Sequence, residues 1–293
     1  MKVVALVGPT AVGKTGLGVA IAEAIGGEVV SADSRQVYRG FDIGTGKVTS
    51  EEARGIPHHL IDVADAGTIF TAADFVRLGR ATLEDVAERG HTPIVVGGTG
   101  FYIDALLGRM RLAEVPPNEV LRLELKVESL EELQEKLKKL DPERYKTIDT
   151  KNRRRLERAI EIALSGTQNS ELKTLNYKVL WLGLTLSLPE LKKRIHTRLL
   201  ARLDAGMLDE ARHLNSAGLT WGRMEDLGLE YRYMARHLQN LITYDEMVAE
   251  LEKGIVSYAK RQMTWFKRNK EILWLAPDDP ATGLEQVRAF LNP

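Results

Sequence analysis

Residues Gly8, Pro9, Thr10, Ala11, Val12, Gly13, Lys14 and Thr15 read GPTAVGKT, two glycines followed by a lysine and a hydroxyl residue. The spacing G-x-x-x-x-G-K-[ST] is that of a loop that cradles phosphate. Its backbone N–H groups and the helix N-terminus behind it form an anion site. Lys14 adds a point charge, and the Thr15 hydroxyl offers an oxygen to Mg²⁺. The motif implies a pyrophosphate group and is silent about what is attached to it. Downstream, SADSRQVYRGFDIGTGK (31–47) puts Asp33 directly after an apolar run. A carboxylate there can act on a bound ligand, and an Asp-Ser pair can equally cap the turn that follows. Ser34, Gln36 and Tyr38 add donors and a stacking surface. VVGGTG (95–100) offers a tight backbone approach with one hydroxyl, Thr99. That suits hydrogen bonding to a ligand better than holding a metal.

These groups need elements to position them. Residues 3–7 read as a buried strand, 14–25 as a helix closed by Gly26-Gly27, and 28–32 as a second strand, a βαβ beginning. HLIDV (59–63), a helix from about Thr71 to Arg89 and the strand PIVVG (93–97) follow. Alternating strands and helices imply a parallel sheet covered on both faces, with ligands at the carboxyl ends of its strands. A nucleotide hydrolase also wants an Asp closing an apolar strand near Mg²⁺. The central strand ends in VVGGTG instead, and the weaker HLIDV run offers Asp62 as the alternative. From Val115-Pro116-Pro117 the pattern turns to charged helices, ESLEELQEKLKKL (128–140) and DTKNRRRLERAIEIALSG (149–166). The expectation is an α/β fold: a P-loop NTPase-like parallel sheet core over 1–114 and 176–293, with C-terminal helices, and a helical insertion domain over 115–175. KVLWLGLTLS (178–187) returns to the sheet, and EILWLAP (271–277) is a candidate last strand.

The chain of 293 residues has 41 basic and 41 acidic residues and no cysteine. Disulfides, Cys-ligated zinc and thiol catalysis are excluded, and a reducing cytoplasmic setting is expected. No apolar run approaches the ~20 residues of a membrane span. A net charge of zero gives no overall positive field for nucleic acid. Basic residues nevertheless cluster in KNRRRLER (151–158), LKKRIHTRLLAR (191–202) and AKRQMTWFKRNK (259–270). Each cluster alone reads as a solvated helix face; three together in a neutral protein weaken that reading.

Taken together, the blocks GPTAVGKT, SADSRQVYRGFDIGTGK, GIPHHLID (55–62), FTAADF (70–75), PIVVGGTGFYIDAL (93–106), NRRRLERAIEI (152–162) and RQMTWFKR (261–268) resemble the tRNA dimethylallyltransferases, or tRNA isopentenyltransferases. They run from end to end in family order. The resemblance implies that Gly8 to Thr15 hold dimethylallyl diphosphate with Mg²⁺ on Thr15. It implies transfer of the dimethylallyl group to the N6 amine of the adenosine at tRNA position 37, beside the anticodon. Asp33 is then the general base, Arg198 of RIHTR the cation on the leaving diphosphate ahead of Arg194, and Thr99 a further catalytic residue. Asp33, Ser34, Arg35, Gln36 and Thr99 resemble the family's contacts to the target nucleotide, and Arg122, Arg154, Arg155 and Arg158 its contacts to the anticodon stem-loop. A monomer is expected. Two departures stand out: LGLEYR (227–232) replaces the family's Gly-Tyr-Lys/Arg block, and Arg35 stands where many relatives carry Met or Ala.

Three other readings use the same residues. A P-loop small-molecule kinase shares the loop and Mg²⁺ and predicts ATP turnover. An adenylate isopentenyltransferase shares the chemistry but needs no tRNA-binding lobe. A non-catalytic nucleotide-binding module leaves Asp33 and Thr99 on the ligand rim without a task.

Overall fold

The protein is described from a computed structural model, which covers residues 1–113, 115–165 and 177–292. The chain divides into two compact units, Met1–Met110 with Leu175–Pro293, and Arg111–Thr174. Glu114 and residues 175–176, where the sequence places the ends of the insertion, lie outside the described residues.

The first unit begins with β1 (Lys2–Val7), α1 (Lys14–Ile25), β2 (Gly27–Ala32), α2 (Ser50–Ala53), β3 (His58–His59), α3 (Ala72–Glu88), β4 (Thr92–Gly97) and α4 (Gly100–Leu106). The second unit holds α5 (Glu119–Val127), α6 (Leu130–Leu140), α7 (Pro142–Thr147) and α8 (Arg153–Leu164). The first unit resumes with β5 (Lys178–Leu184), α9 (Leu188–Asp204), α10 (Met207–Ser216), α11 (Trp221–Leu227), α12 (Leu229–Leu238), α13 (Tyr244–Phe266), β6 (Leu273–Leu275) and α14 (Pro280–Leu291).

The six strands form one all-parallel sheet in the order β3-β2-β4-β1-β5-β6. Such a sheet is buried on both faces, so its strands read as unbroken apolar runs. Along β1, Val3, Ala5 and Val7 pack with Phe75, Leu83, Ile103 and Leu106 of α3 and α4. Val4 and Leu6 pack on the other face with Leu17, Ile21 and Ala22 of α1 and Val287 of α14. The close fit of α1 depends on Gly18, where a Cβ would stand 3.0 Å from Val96. A third core joins Val37, Tyr38 and Phe41 to buried residues of α9 to α13, among them Met224, Tyr231, Met234 and Leu251. The second unit has its own core of Leu125, Leu133, Leu137, Leu156, Ala159 and Ile160. Its helices carry side-chain caps at Asn118, Ser129, Asp141 and Asn152, which supply acceptors to otherwise unpaired N–H groups.

One expectation is corrected here. HLIDV does not continue as a strand to Asp62, because β3 stops at His59 and the backbone is left-handed at Leu60 (φ 60°) and Asp62 (φ 57°). The Asp62 carboxylate accepts from the Lys47 ammonium at 2.5 Å. It partners a buried cation, 6% exposed at its side chain, and lies beyond the end of β3.

Candidate active site

The phosphate loop joins β1 to α1 at the carboxyl edge of the sheet. Gly8 has φ 149°, and a Cβ there would stand 2.7 Å from the Leu184 carbonyl oxygen, so neither the conformation nor the space admits a side chain. Gly13, the residue before α1, is left-handed and gives the helix no side-chain cap. The leading N–H groups of α1 are therefore directed toward the cleft rather than toward a capping oxygen, the arrangement that receives an anion. Lys14 folds onto its own loop, donating to the carbonyls of Gly8 (3.0 Å) and Pro9 (2.7 Å). Burial, with Arg198 nearby, brings its ammonium down to about 7, against the opposing pull of Asp33. Thr15 is exposed at the second position of α1.

Gly13, Lys14 and Thr15 line a cleft of about 770 Å³ that also takes in Asp33, Ser34, Arg35, Gln36, Arg198 and Arg202. Asp33 sits just beyond β2. Its Oδ1 accepts from the Arg35 N–H at 2.8 Å and, at a longer 3.4 Å, from Gln36 N–H. The two readings of this residue therefore coexist, since it caps its turn and faces the cleft. Thr99, just before α4, accepts from the Ser34 N–H at 3.1 Å, and burial pushes the nearby Tyr258 hydroxyl up to about 12 against the pull of Thr99. Gln36 is held by the Ser31 hydroxyl (3.0 Å) and donates to the Gly46 carbonyl (3.2 Å).

Arg198 and Arg202 lie one turn apart on α9 and so share a face. Both guanidinium groups press on Gly46, where a Cβ would fall 1.6 Å from Arg202 Nη2 and 2.5 Å from Arg198 Nη2. Burial and the neighbouring Arg202 lower Arg198 to about 10. Arg194 pairs with Glu190 at 3.5 Å and is not among the lining residues, although a Cβ at Gly13 would stand 4.0 Å from its Nη1. Glu230 stands 3.9 Å from Arg202, and burial raises its carboxyl.

Several lining residues escaped the sequence reading: Arg202, Glu230, Tyr258 and Gln262. The i, i+4 spacing of Arg198 with Arg202, and of Tyr258 with Gln262, was the available signal. LGLEYR, left without a role, supplies Leu227, Gly228, Leu229, Glu230 and Arg232 to the wall.

In the second unit Arg122 and Arg158 converge on one buried carboxylate. Arg122 Nε donates to Glu161 Oε1 at 2.7 Å and Arg158 Nη1 to Glu161 Oε2 at 2.8 Å, while Arg158 Nη2 reaches the Val115 carbonyl. Glu161 is 1% exposed and held below the usual carboxylate range by these arginines against its burial. Of the three arginines 154, 155 and 158, the last is thus drawn toward a buried anion at i+3. Arg155 is 60% exposed, 3.9 Å from Asp149, and Arg154 is exposed.

Among the described residues no three His, Cys, Asp or Glu side chains gather as a metal site. A Mg²⁺ that keeps its waters and takes phosphate oxygens needs only one or two protein ligands. The exposed Thr15 hydroxyl beside the anion-receiving loop fits that demand.

Comparison with known proteins places this arrangement in a family. The family model described as IPP transferase matches residues 36–269. The chain is 44% identical to tRNA dimethylallyltransferase 2 of Syntrophotalea carbinolica, over 98% of each. It is 42% identical to tRNA dimethylallyltransferase 1 of Geotalea uraniireducens, over 96% of this chain and 95% of the other. The crystal structure of the tRNA isopentenylpyrophosphate transferase of Bacillus halodurans superposes with a TM-score of 0.76 at 36% identity, covering 99% of this chain and 96% of that one. A eukaryotic dimethylallyltransferase acting on tRNA gives 0.78 at 26% identity, covering 94% and 74%. The chain whose cleft gathers the phosphate loop, the Asp33 turn and the paired arginines of α9 belongs to the tRNA dimethylallyltransferase family.

Proposed function

We propose that the protein transfers a dimethylallyl group from dimethylallyl diphosphate to the N6 amine of the adenosine beside the anticodon of tRNA. The observation that carries this reading is the juxtaposition of an anion-receiving loop and a carboxylate, Asp33, in one cleft with Lys14 and Arg198. An adenine N6 amine is a poor nucleophile because its lone pair is delocalised into the ring. Asp33 accepts the N6 proton as the nitrogen bonds to the allylic carbon. The carbon–oxygen bond to diphosphate breaks in the same step, and the electron pair leaves with the diphosphate. Lys14 and Arg198 neutralise that growing charge. The Thr15 hydroxyl would help to hold Mg²⁺, which would supply further countercharge. Thr99 fixes the turn that carries Asp33 by accepting from Ser34 N–H.

The acceptor adenine must leave its stack to reach the cleft. Arg154 and Arg155 of the second unit, with Arg122 and Arg158 behind them, supply the cationic surface proposed for the anticodon stem-loop. No helix among the described residues is long and apolar enough to cross a membrane. A cytoplasmic monomer is the setting this reading assigns. The test is incubation with dimethylallyl diphosphate, Mg²⁺ and either unmodified tRNA or AMP. Prenylated tRNA with unmodified AMP is the expected result. Modified AMP would favour an adenylate isopentenyltransferase, and a phosphorylated product from ATP would favour a kinase.

A further inference from the structure

The loop Phe41–Lys47 is held by a carboxylate outside the cleft. Glu210, on the first turn of α10, accepts three successive backbone N–H groups, those of Asp42 (2.8 Å), Ile43 (2.7 Å) and Gly44 (3.0 Å). The Tyr231 hydroxyl adds a fourth bond to Glu210 Oε1 at 2.6 Å. Consecutive N–H groups aimed at one anion form a strong, geometrically defined cradle. Tyr231 is 2% exposed, with its ring edge-on to Phe41 at 4.5 Å. A Cβ at Gly44 would lie 2.6 Å from its hydroxyl. The loop is therefore fixed from beneath.

Its other side faces the cleft. The carbonyl of Gly44 receives Arg202 Nη1 at 3.4 Å, and that of Gly46 receives Arg198 Nη2 at 3.5 Å and Gln36 Nε2 at 3.2 Å. These contacts to the arginines are long for hydrogen bonds, but both guanidinium groups also lie directly against Gly46. A shift of the loop by a few tenths of an ångström moves both cations.

We infer that Glu210 is a positioning residue for Arg198 and Arg202: through the cradle at Asp42, Ile43 and Gly44 it sets the Gly44–Gly46 wall against which the leaving-group cations are placed. This rests on the proposed role of Arg198 in holding diphosphate.

The test is a double-substitution cycle read by calorimetric binding of inorganic diphosphate with Mg²⁺. Glu210→Gln retains an acceptor and the side-chain volume but loses the charge, and a cooperative melt verifies its fold. Its affinity for diphosphate should fall about tenfold, the scale of one charge-assisted hydrogen-bond set. The KM for the allylic donor should rise while that for tRNA stays put, and Glu210→Asp should restore part of the loss. In an Arg198→Ala background the same Glu210→Gln change should weaken diphosphate binding by no more than about threefold, because its main target is gone. Equal factors in the two backgrounds would mean that Glu210 acts on the fold at large, and parent-like binding by Glu210→Gln would mean that it does not act at all; either overturns the inference. Parent-like diphosphate binding by Arg198→Ala would instead overturn the role given to Arg198, and this inference with it.

Discussion

Gln262 joins two loops that lie far apart in sequence: its Oε1 accepts from the Thr10 N–H at 2.8 Å, and its Nε2 donates to the Gly98 carbonyl at 2.9 Å. One buried side chain of α13 thus ties the phosphate loop to the turn that carries Thr99. Gln262→Leu would leave a buried N–H and a buried carbonyl unpaired, at about 1–3 kcal/mol each if neither finds water. The expected outcome is a loss of about 2 kcal/mol in denaturant unfolding together with a lower kcat. Unchanged stability and turnover would show that the tie is dispensable.

Asp33 has two tasks that a pair of substitutions separates. Asp33→Asn keeps an oxygen for the Arg35 N–H, whereas Asp33→Ala removes both cap and base. Transfer should fall by ~10²–10⁴ in both variants, while only Asp33→Ala should lose stability, by about 1 kcal/mol. Equilibrium tRNA binding should stay near that of the parent. Near-normal turnover by Asp33→Asn would remove it from the role of base.

Lys14 gives the protein a pH signature. Its ammonium is depressed from 10.5 to about 7 by burial and by Arg198, so the folded chain binds fewer protons there than the unfolded chain between those values. Stability then rises with pH across that window. Diphosphate reverses the imbalance by restoring a negative partner. At pH 8 its binding should take up a proton, visible as a calorimetric enthalpy that varies with the ionisation enthalpy of the buffer. Lys14→Arg, always charged, should abolish that variation.

Glu28, 3% exposed on β2, is bonded by Arg89 and by His59 at 2.6 Å. Arg89 foremost, then His59, bring its carboxyl down from 4.5 to about 2 against the cost of burial. A depressed carboxyl contributes stability above its unfolded value that is lost as pH falls through the folded one. Stability should therefore decline between about pH 4.5 and 2, and Glu28→Gln should flatten that limb. Arg89→Ala, which strips the main partner from a buried charge, should lower stability at neutral pH.

The arginines of the second unit should divide into two kinds. Arg155→Ala should make the salt dependence of tRNA binding shallower by about one unit, as a lost phosphate contact does, with little change in melting. Arg122→Ala exposes Glu161 without its bidentate partner and should lower the melting temperature first. A salt slope unmoved by Arg154→Ala/Arg155→Ala would return those residues to an ordinary solvated face.

Much of this frame could be read in the chain alone because its causes are local. The phosphate loop needs only the order of its own residues, and β1, β2 and β4 are apolar runs bounded by glycines. HLIDV misled because its apolar pattern suits a strand while Leu60 and Asp62 adopt left-handed backbone, a choice made by the Lys47 contact and the loop around it. Gln262 and Glu210 were illegible for another reason. Their backbone partners stand 164 and 252 positions away for Gln262 and 166 to 168 for Glu210, and no helical pattern announces which backbone groups a side chain will meet after folding. Spacing likewise reports that Arg155 and Arg158 share a face, but not which of them a buried Glu161 will capture.

The interruption of the sheet bears on the order in which the chain is made. β1 pairs with β4 on one side and β5 on the other, yet everything from α4 through α8 is synthesised before β5. At a ribosomal pace of about 5–20 residues per second, one flank of β1 waits roughly 4–16 s for its partner. During that interval the nascent chain emits a four-helix body with its own apolar centre around Leu133 and Leu156. Short-range helices fold faster than long-range strand pairs. The inserted unit is then already compact when Lys178–Leu184 emerges, and the late strand finds an edge with few rivals for it.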